Sequence, residues 1–160
     1  MPTTKLAGCS CALALLLAGC MAPATPTQRL TEAARELNES AWFGRMDLAA
    51  SHAAQAARAR FLERRNDWGK DIRILDMSLA GMELSEEGHR AVISVDVAWT
   101  RMDEGSLRAT RLAQVWRQQD DGWKLTRERR VAGDLGLFGE HVEVLHPPSP
   151  DVHFASRTIR

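Results

Sequence analysis

Two carboxylates lie inside otherwise apolar, strand-like runs: Asp76 in IRILDMSLAGMEL and Asp96 in RAVISVDVAWTRM. An Asp turned into an apolar interior is desolvated, its pKa rises, and it can take a proton as a general base. Arg111, in LRATRLAQVWRQQ, is the basic residue placed to approach them from the third strand. Turned outward, the same three side chains make a solvated cross-strand charge cluster, and the better strand register favours that arrangement. No catalytic residue is the leading expectation, and Asp76 as base is the alternative. His52 falls in an Ala-rich helical run, where a packed or surface histidine is commoner than a base. His89 sits beside a turn, and His141, His146 and His153 have no acid or Cys partner at ligand spacing, so no metal site is expected. Trp99, Trp116 and Trp123 are candidates for lining a pocket, with aromatic core the commoner role. No glycine-rich loop leads from a strand into a helix, and no cofactor is implied.

The elements that must position these residues read as helices followed by strands. Residues 28–67 are helical in pattern, with Leu30, Ala33, Ala34 and Leu37 on one face. A second helix opens at Asp47 as N-cap, runs through LAASHAAQAARARFLERRN and ends at Gly69. The Arg-rich stretches from Arg58 and Arg127 read as solvated faces. From Asp71 to Gly133, four alternating runs are separated by EEG, DEG and DDG, which predicts an antiparallel meander and an α+β fold.

Register follows from the alternation. Ile93, Val95, Val97 and Trp99 share one face, and a Glu104-Gly105 turn brings Leu112 and Trp116 to it. A turn ending at Gly122 adds Trp123 and Leu125. The reverse face carries Asp96, Arg111, Arg117, Lys124, Glu128 and Arg130. In the first strand, a three-residue Glu86-Glu87-Gly88 loop puts Leu75, Met77 and Leu79 inside and Asp76 outside; a two-residue loop buries Asp76 instead.

The chain begins MPTTK and continues with an apolar run from Leu6 to Gly19. That run is shorter than the roughly 20 residues of a membrane-spanning helix, and it suits the apolar region of a secretory signal, about 7–15 residues. LAGC occurs twice, but only the copy ending at Cys20 has such a region before it. Leu17-Ala18-Gly19-Cys20 resembles the lipobox of bacterial lipoproteins. The resemblance implies acylation of the Cys20 thiol and cleavage before it, so that residues 1–19 are a signal peptide and residues 20–27 a lipidated Pro/Thr tether. Of the 3 cysteines, Cys9 and Cys11 leave with the signal and Cys20 is consumed. Each buried methylene contributes roughly 0.8 kcal/mol, and two or more acyl chains anchor stably where one does not. Met21 stands where an Asp holds many such lipoproteins in the inner membrane, so the expected location is the outer membrane, facing the periplasm. Removing residues 1–19 takes away one of 21 basic residues, Lys5, and none of 21 acidic ones, for a net charge of about −1. Nothing there recruits nucleic acid.

Helices followed by a meander, with the hairpin VWRQQDDGWKLTRE, are similar to the nuclear-transport-factor-2-like superfamily, over residues 28–133. The resemblance implies N-terminal helices packed on a curved four-stranded antiparallel sheet, forming a cone. The superfamily includes ketosteroid isomerases, dehydratases and polyketide cyclases, and also binding and dimerisation modules. The enzymes use an Asp or His with a hydrogen-bond donor inside the cone; this chain has 0 Tyr to supply the phenol donor of the isomerases. The leading expectation is a non-catalytic, lipid-anchored periplasmic binding module that contacts an envelope protein or a small apolar ligand, with homodimerisation as a further association. An isomerase- or cyclase-like enzyme and a structural subunit of an envelope or secretion assembly are the alternatives. Residues 134–160 form a tail expected to dock partly through Leu135, Leu137 and Phe138.

Overall fold

The computed structural model describes residues 23–140. Three helices precede four strands: α1 (Pro26–Trp42), α2 (Met46–Ser51), α3 (Gln55–Glu63), β1 (Ile72–Leu84), β2 (Arg90–Arg101), β3 (Leu107–Gln119) and β4 (Gly122–Gly133). The strands form one antiparallel sheet in sequence order.

Helix α1 starts two residues earlier than the apolar spacing implies, inside the expected tether. Thr25 caps it: its hydroxyl accepts from the Gln28 N–H at 3.2 Å and its own N–H donates to Gln28 Oε1 at 2.7 Å, with Pro26 at the first helical position. Leu30, Ala34 and Leu37 are buried and Ala33 partly so. The long second helix is in fact two. Asp47 lies in the first turn of α2, whose N-cap is Arg45 with no side-chain cap bond. The break at residues 52–54 has a tertiary cause. The Ala54 N–H donates to the Leu125 carbonyl and the Leu125 N–H to the His52 carbonyl, both at 2.9 Å, so this segment pairs with β4 rather than with its own helix.

The sheet's inner face agrees with the alternation in three strands. Ile93, Val95, Val97, Trp99, Leu112, Trp116, Trp123 and Leu125 are all buried. The β2–β3 connection is longer than the Glu104-Gly105 turn, spanning residues 102–106 with Thr100 opposite Leu107. The pairing moves by an even number of residues, so the faces are preserved.

Bulges decide the rest. In β1, Met77 and Leu79 face Val97 and Val95, as expected, although the turn is longer than three residues: the Ser85 N–H donates to the Arg90 carbonyl at 2.7 Å, with Gly88 at φ 72° between them. Bulges between Ile74 and Asp76 and between Leu79 and Gly81 change the parity at both ends. Ile72, Ile74 and Met82 therefore turn towards the core, and Leu75, expected inside, is 45% exposed. In β4 a bulge between the pairs Val115–Arg127 and Trp116–Leu125 places Glu128 opposite inward-facing Gln114. Glu128 thus leaves the outer face on which alternation puts it and enters the interior. Of the residues expected to dock the tail, Leu137 is fully buried and Phe138 partly so, whereas Leu135 stays exposed. The Trp68 indole N–H donates to the Leu137 carbonyl at 2.8 Å, and Phe138 stacks on Trp68 with centroids 6.5 Å apart.

Candidate functional site

Asp76 lies on the outer face, exposed, opposite Ala98. It lines an open depression with Ser78, Asp96 and Arg111, and its exposure there leaves its carboxyl without the desolvation that the general-base reading needs. Asp96 and Arg111 form a cross-strand fork, Nε to Oδ1 at 2.6 Å and Nη2 to Oδ2 at 2.7 Å, with both side chains about half exposed. The hydrogen bond from Arg111 is the main cause that holds the Asp96 carboxyl below its ordinary pKa.

Trp99, Trp116 and Trp123 lie in the core at 0%, 0% and 3% exposure. The Trp99 indole N–H donates to the Thr110 hydroxyl at 2.9 Å, which in turn donates to the Asp134 carbonyl at 2.8 Å. His52 meets Glu36 across α1 and α2, Nε2 to Oε2 at 3.2 Å; burial is the largest cause and lowers its pKa, with Glu36 opposing. Leu17, Ala18, Gly19 and Cys20 lie outside the described residues, as do His141, His146 and His153.

The interior holds a polar network that alternation does not reveal. Arg65, the second arginine of the pair ending RARFLERR, is 2% exposed rather than solvated. Its Nη2 donates to both Glu128 carboxylate oxygens, at 2.7 and 2.8 Å. Gln114 Nε2 donates to Glu128 Oε1 at 3.1 Å and to Asn38 Oδ1 at 2.9 Å, and Asn38 Nδ2 returns a bond to Gln114 Oε1 at 3.1 Å. The Arg65 guanidinium lies 3.9 Å from the centroid of the Phe61 ring, a cation–π contact. Burial by itself raises the Glu128 pKa. The Arg65 charge and the Arg65 and Gln114 hydrogen bonds overcome it, so the carboxyl sits below its ordinary value. A paired, ionised carboxylate of this kind is a weak base, and its geometry serves to tie α1, the end of α3 and the sheet together. One signal for it was readable: Gln114 interrupts the inward series Leu112, Trp116 and so needs a polar partner inside.

A cleft of ≈ 300 Å³ opens where the end of α1 meets the start of β1, lined by Trp42, Phe43, Met46, Trp68, Ile72 and Ile74 among others. Phe43 is 66% exposed and stacks on Trp42 at 5.3 Å, and Met102, at the same cleft, is 56% exposed. This concave surface, with an exposed aromatic side chain and an exposed Met at its rim, is the strongest candidate for contact with another molecule.

No protein-family model and no curated protein sequence matches the chain. Solved structures do. A protein assigned as a Ca/calmodulin-dependent kinase II association domain from Exiguobacterium sibiricum superimposes with a TM-score of 0.56 at 12% identity, over 69% of this chain and 95% of that one. An NTF2-like protein from Cytophaga hutchinsonii gives 0.54 at 10%, over 68% and 99%. A SEC-C motif containing protein from Rhodopseudomonas palustris gives 0.52 at 14%, over 67% and 89%. The fold is nuclear-transport-factor-2-like. At these identities the likeness extends to fold alone, and function has to be argued from the sites.

Proposed function

We propose that the chain is a lipid-anchored binding module of the bacterial envelope. In this reading acylated Cys20 holds it at the outer membrane, facing the periplasm, and it performs no catalysis. The α1–β1 cleft takes an apolar side chain of a protein partner or a small apolar ligand. The observation that carries the reading is the cleft itself, with Phe43 and Met102 left exposed at its rim. An exposed aromatic stacked on a second one is costly to leave in water and is a common anchor at interfaces. The interior supports the same reading, since the Glu128 carboxylate, with its side chain 4% exposed, is committed to Arg65.

Two measurements test the two halves. Labelled palmitate should enter the wild-type chain and not Cys20→Ser; equal labelling sinks the anchor. A fluorescent apolar probe should bind the purified protein saturably, and Phe43→Asp should weaken it about tenfold or more, the range for losing a buried aromatic anchor. Unchanged probe affinity in a folded Phe43→Asp protein sinks the cleft.

A further inference from the structure

A second cleft, remote in the fold from the first, runs between α3 and β4 with a volume of ≈ 420 Å³, within the roughly 300–1,000 Å³ of small-molecule sites. Its walls include Ala56, Ala57 and Phe61 from the helix and Leu125 from the strand. Arg60 and Arg64 line it from the helix side, and Arg127 and Arg129 from β4, where the register sets their side chains opposite Val115 and Ala113 on the face away from the Glu128 side chain. Glu128 contributes the only acid of that lining, and its carboxylate is turned inward to Arg65. Among the described residues no carboxylate makes an ion pair with any of the four arginines. At one end residues 52–54 pair with Leu125, and at the other Arg64 donates from Nη1 to the Glu128 carbonyl at 2.6 Å.

We propose that the α3–β4 cleft binds a small organic anion, with an oxyanion head group held by the arginines and a short apolar body against Phe61, Leu125 and the α3 alanines. Guanidinium groups match carboxylate and phosphate oxygens in a planar fork, which makes arginine the favoured residue for such head groups. The cleft's volume suits a small molecule. The local excess of positive charge is also felt at Arg64. Burial lowers its pKa most, Glu128 opposes, and the neighbouring charges of Arg65 and Arg60 lower it further. An arriving anion relieves that repulsion.

The test is a calorimetric titration of the full-length chain in a non-ionic detergent with hexanoate, 1-hexanol and inorganic phosphate. Hexanoate should bind saturably and lose several-fold in affinity on raising the salt, hexanol should not bind, and phosphate should bind more weakly than hexanoate. The exposed-rim variant Arg60→Gln/Arg127→Gln should weaken hexanoate about tenfold or more, the scale of one lost charge-assisted hydrogen bond, with its thermal midpoint unchanged. Absence of saturable hexanoate binding, equal binding of hexanol, or unchanged affinity in the variant overturns the proposal. Phosphate binding as tightly as hexanoate overturns the apolar half of it.

Discussion

Glu128 and Asp96 each face an arginine in a two-bond fork, yet the two pairs differ in what they contribute. The Asp96–Arg111 pair is about half exposed, where solvent and salt screen it, and Asp96→Asn should cost less than about 1 kcal/mol. The Arg65–Glu128 pair has side chains 0% and 4% exposed. Removing only the carboxylate leaves a buried guanidinium without its partner, so Glu128→Ala should destabilise by about 3–5 kcal/mol in urea unfolding. Replacing both members together with apolar residues should cost less than Glu128→Ala alone. The pH dependence has a definite sign. The unfolded Glu128 carboxyl titrates near its ordinary 4.5 and the folded one lower, so its contribution is complete above about 4.5 and is lost as pH falls through the folded value. A chain carrying Glu128→Gln should show a flatter acid limb of stability against pH.

Among the elements, the bulges carry the most consequence. A strand's side chains alternate with a period of two, so a single inserted residue exchanges its faces from that point onwards. That exchange puts Leu75 outside in β1 and Glu128 inside in β4. Alternation was legible in β2 and β3, whose mutual pairing runs without a register shift, and misleading in the two outer strands, where bulges occur. The end of β4 is held by Gly133, at φ 83°, packed so closely that an added Cβ would run into the Ala109 carbonyl oxygen. Gly133→Ala combines a strained backbone with that collision and should cost about 1–3 kcal/mol, read as a fall in the thermal midpoint. The α2–α3 break is likewise tertiary. Nothing in the Ala-rich sequence stops the helix, and the hydrogen bonds to Leu125 do.

At the scale of the whole molecule, the segment after β4 closes the core rather than hanging from it. Leu137 is fully buried, its carbonyl accepts from Trp68, and Phe138 stacks on the same indole. Leu137→Ala should therefore cost about 2–5 kcal/mol, the range for a buried leucine, and should shift Trp emission to longer wavelength as water reaches Trp68. If the unfolding midpoint stays at the wild-type value, the closure contributes nothing to stability.

The α+β class, the order of helices and meander and the core face of β2 and β3 were determined by the sequence alone, because they follow from local periodicity and turn residues. Asp96 and Arg111 share the outer face by the same alternation, but their direct pairing comes from the longer β2–β3 connection. What only the tertiary structure decided are the features that depend on residues far apart in the chain. These are the burial of Arg65 against Glu128, 63 positions away, the interruption of the Ala-rich helix, and the two clefts. Periodicity describes a strand or helix by itself. A bulge, a broken helix or a buried ion pair exists only because a second element offers the hydrogen bonds that make it favourable.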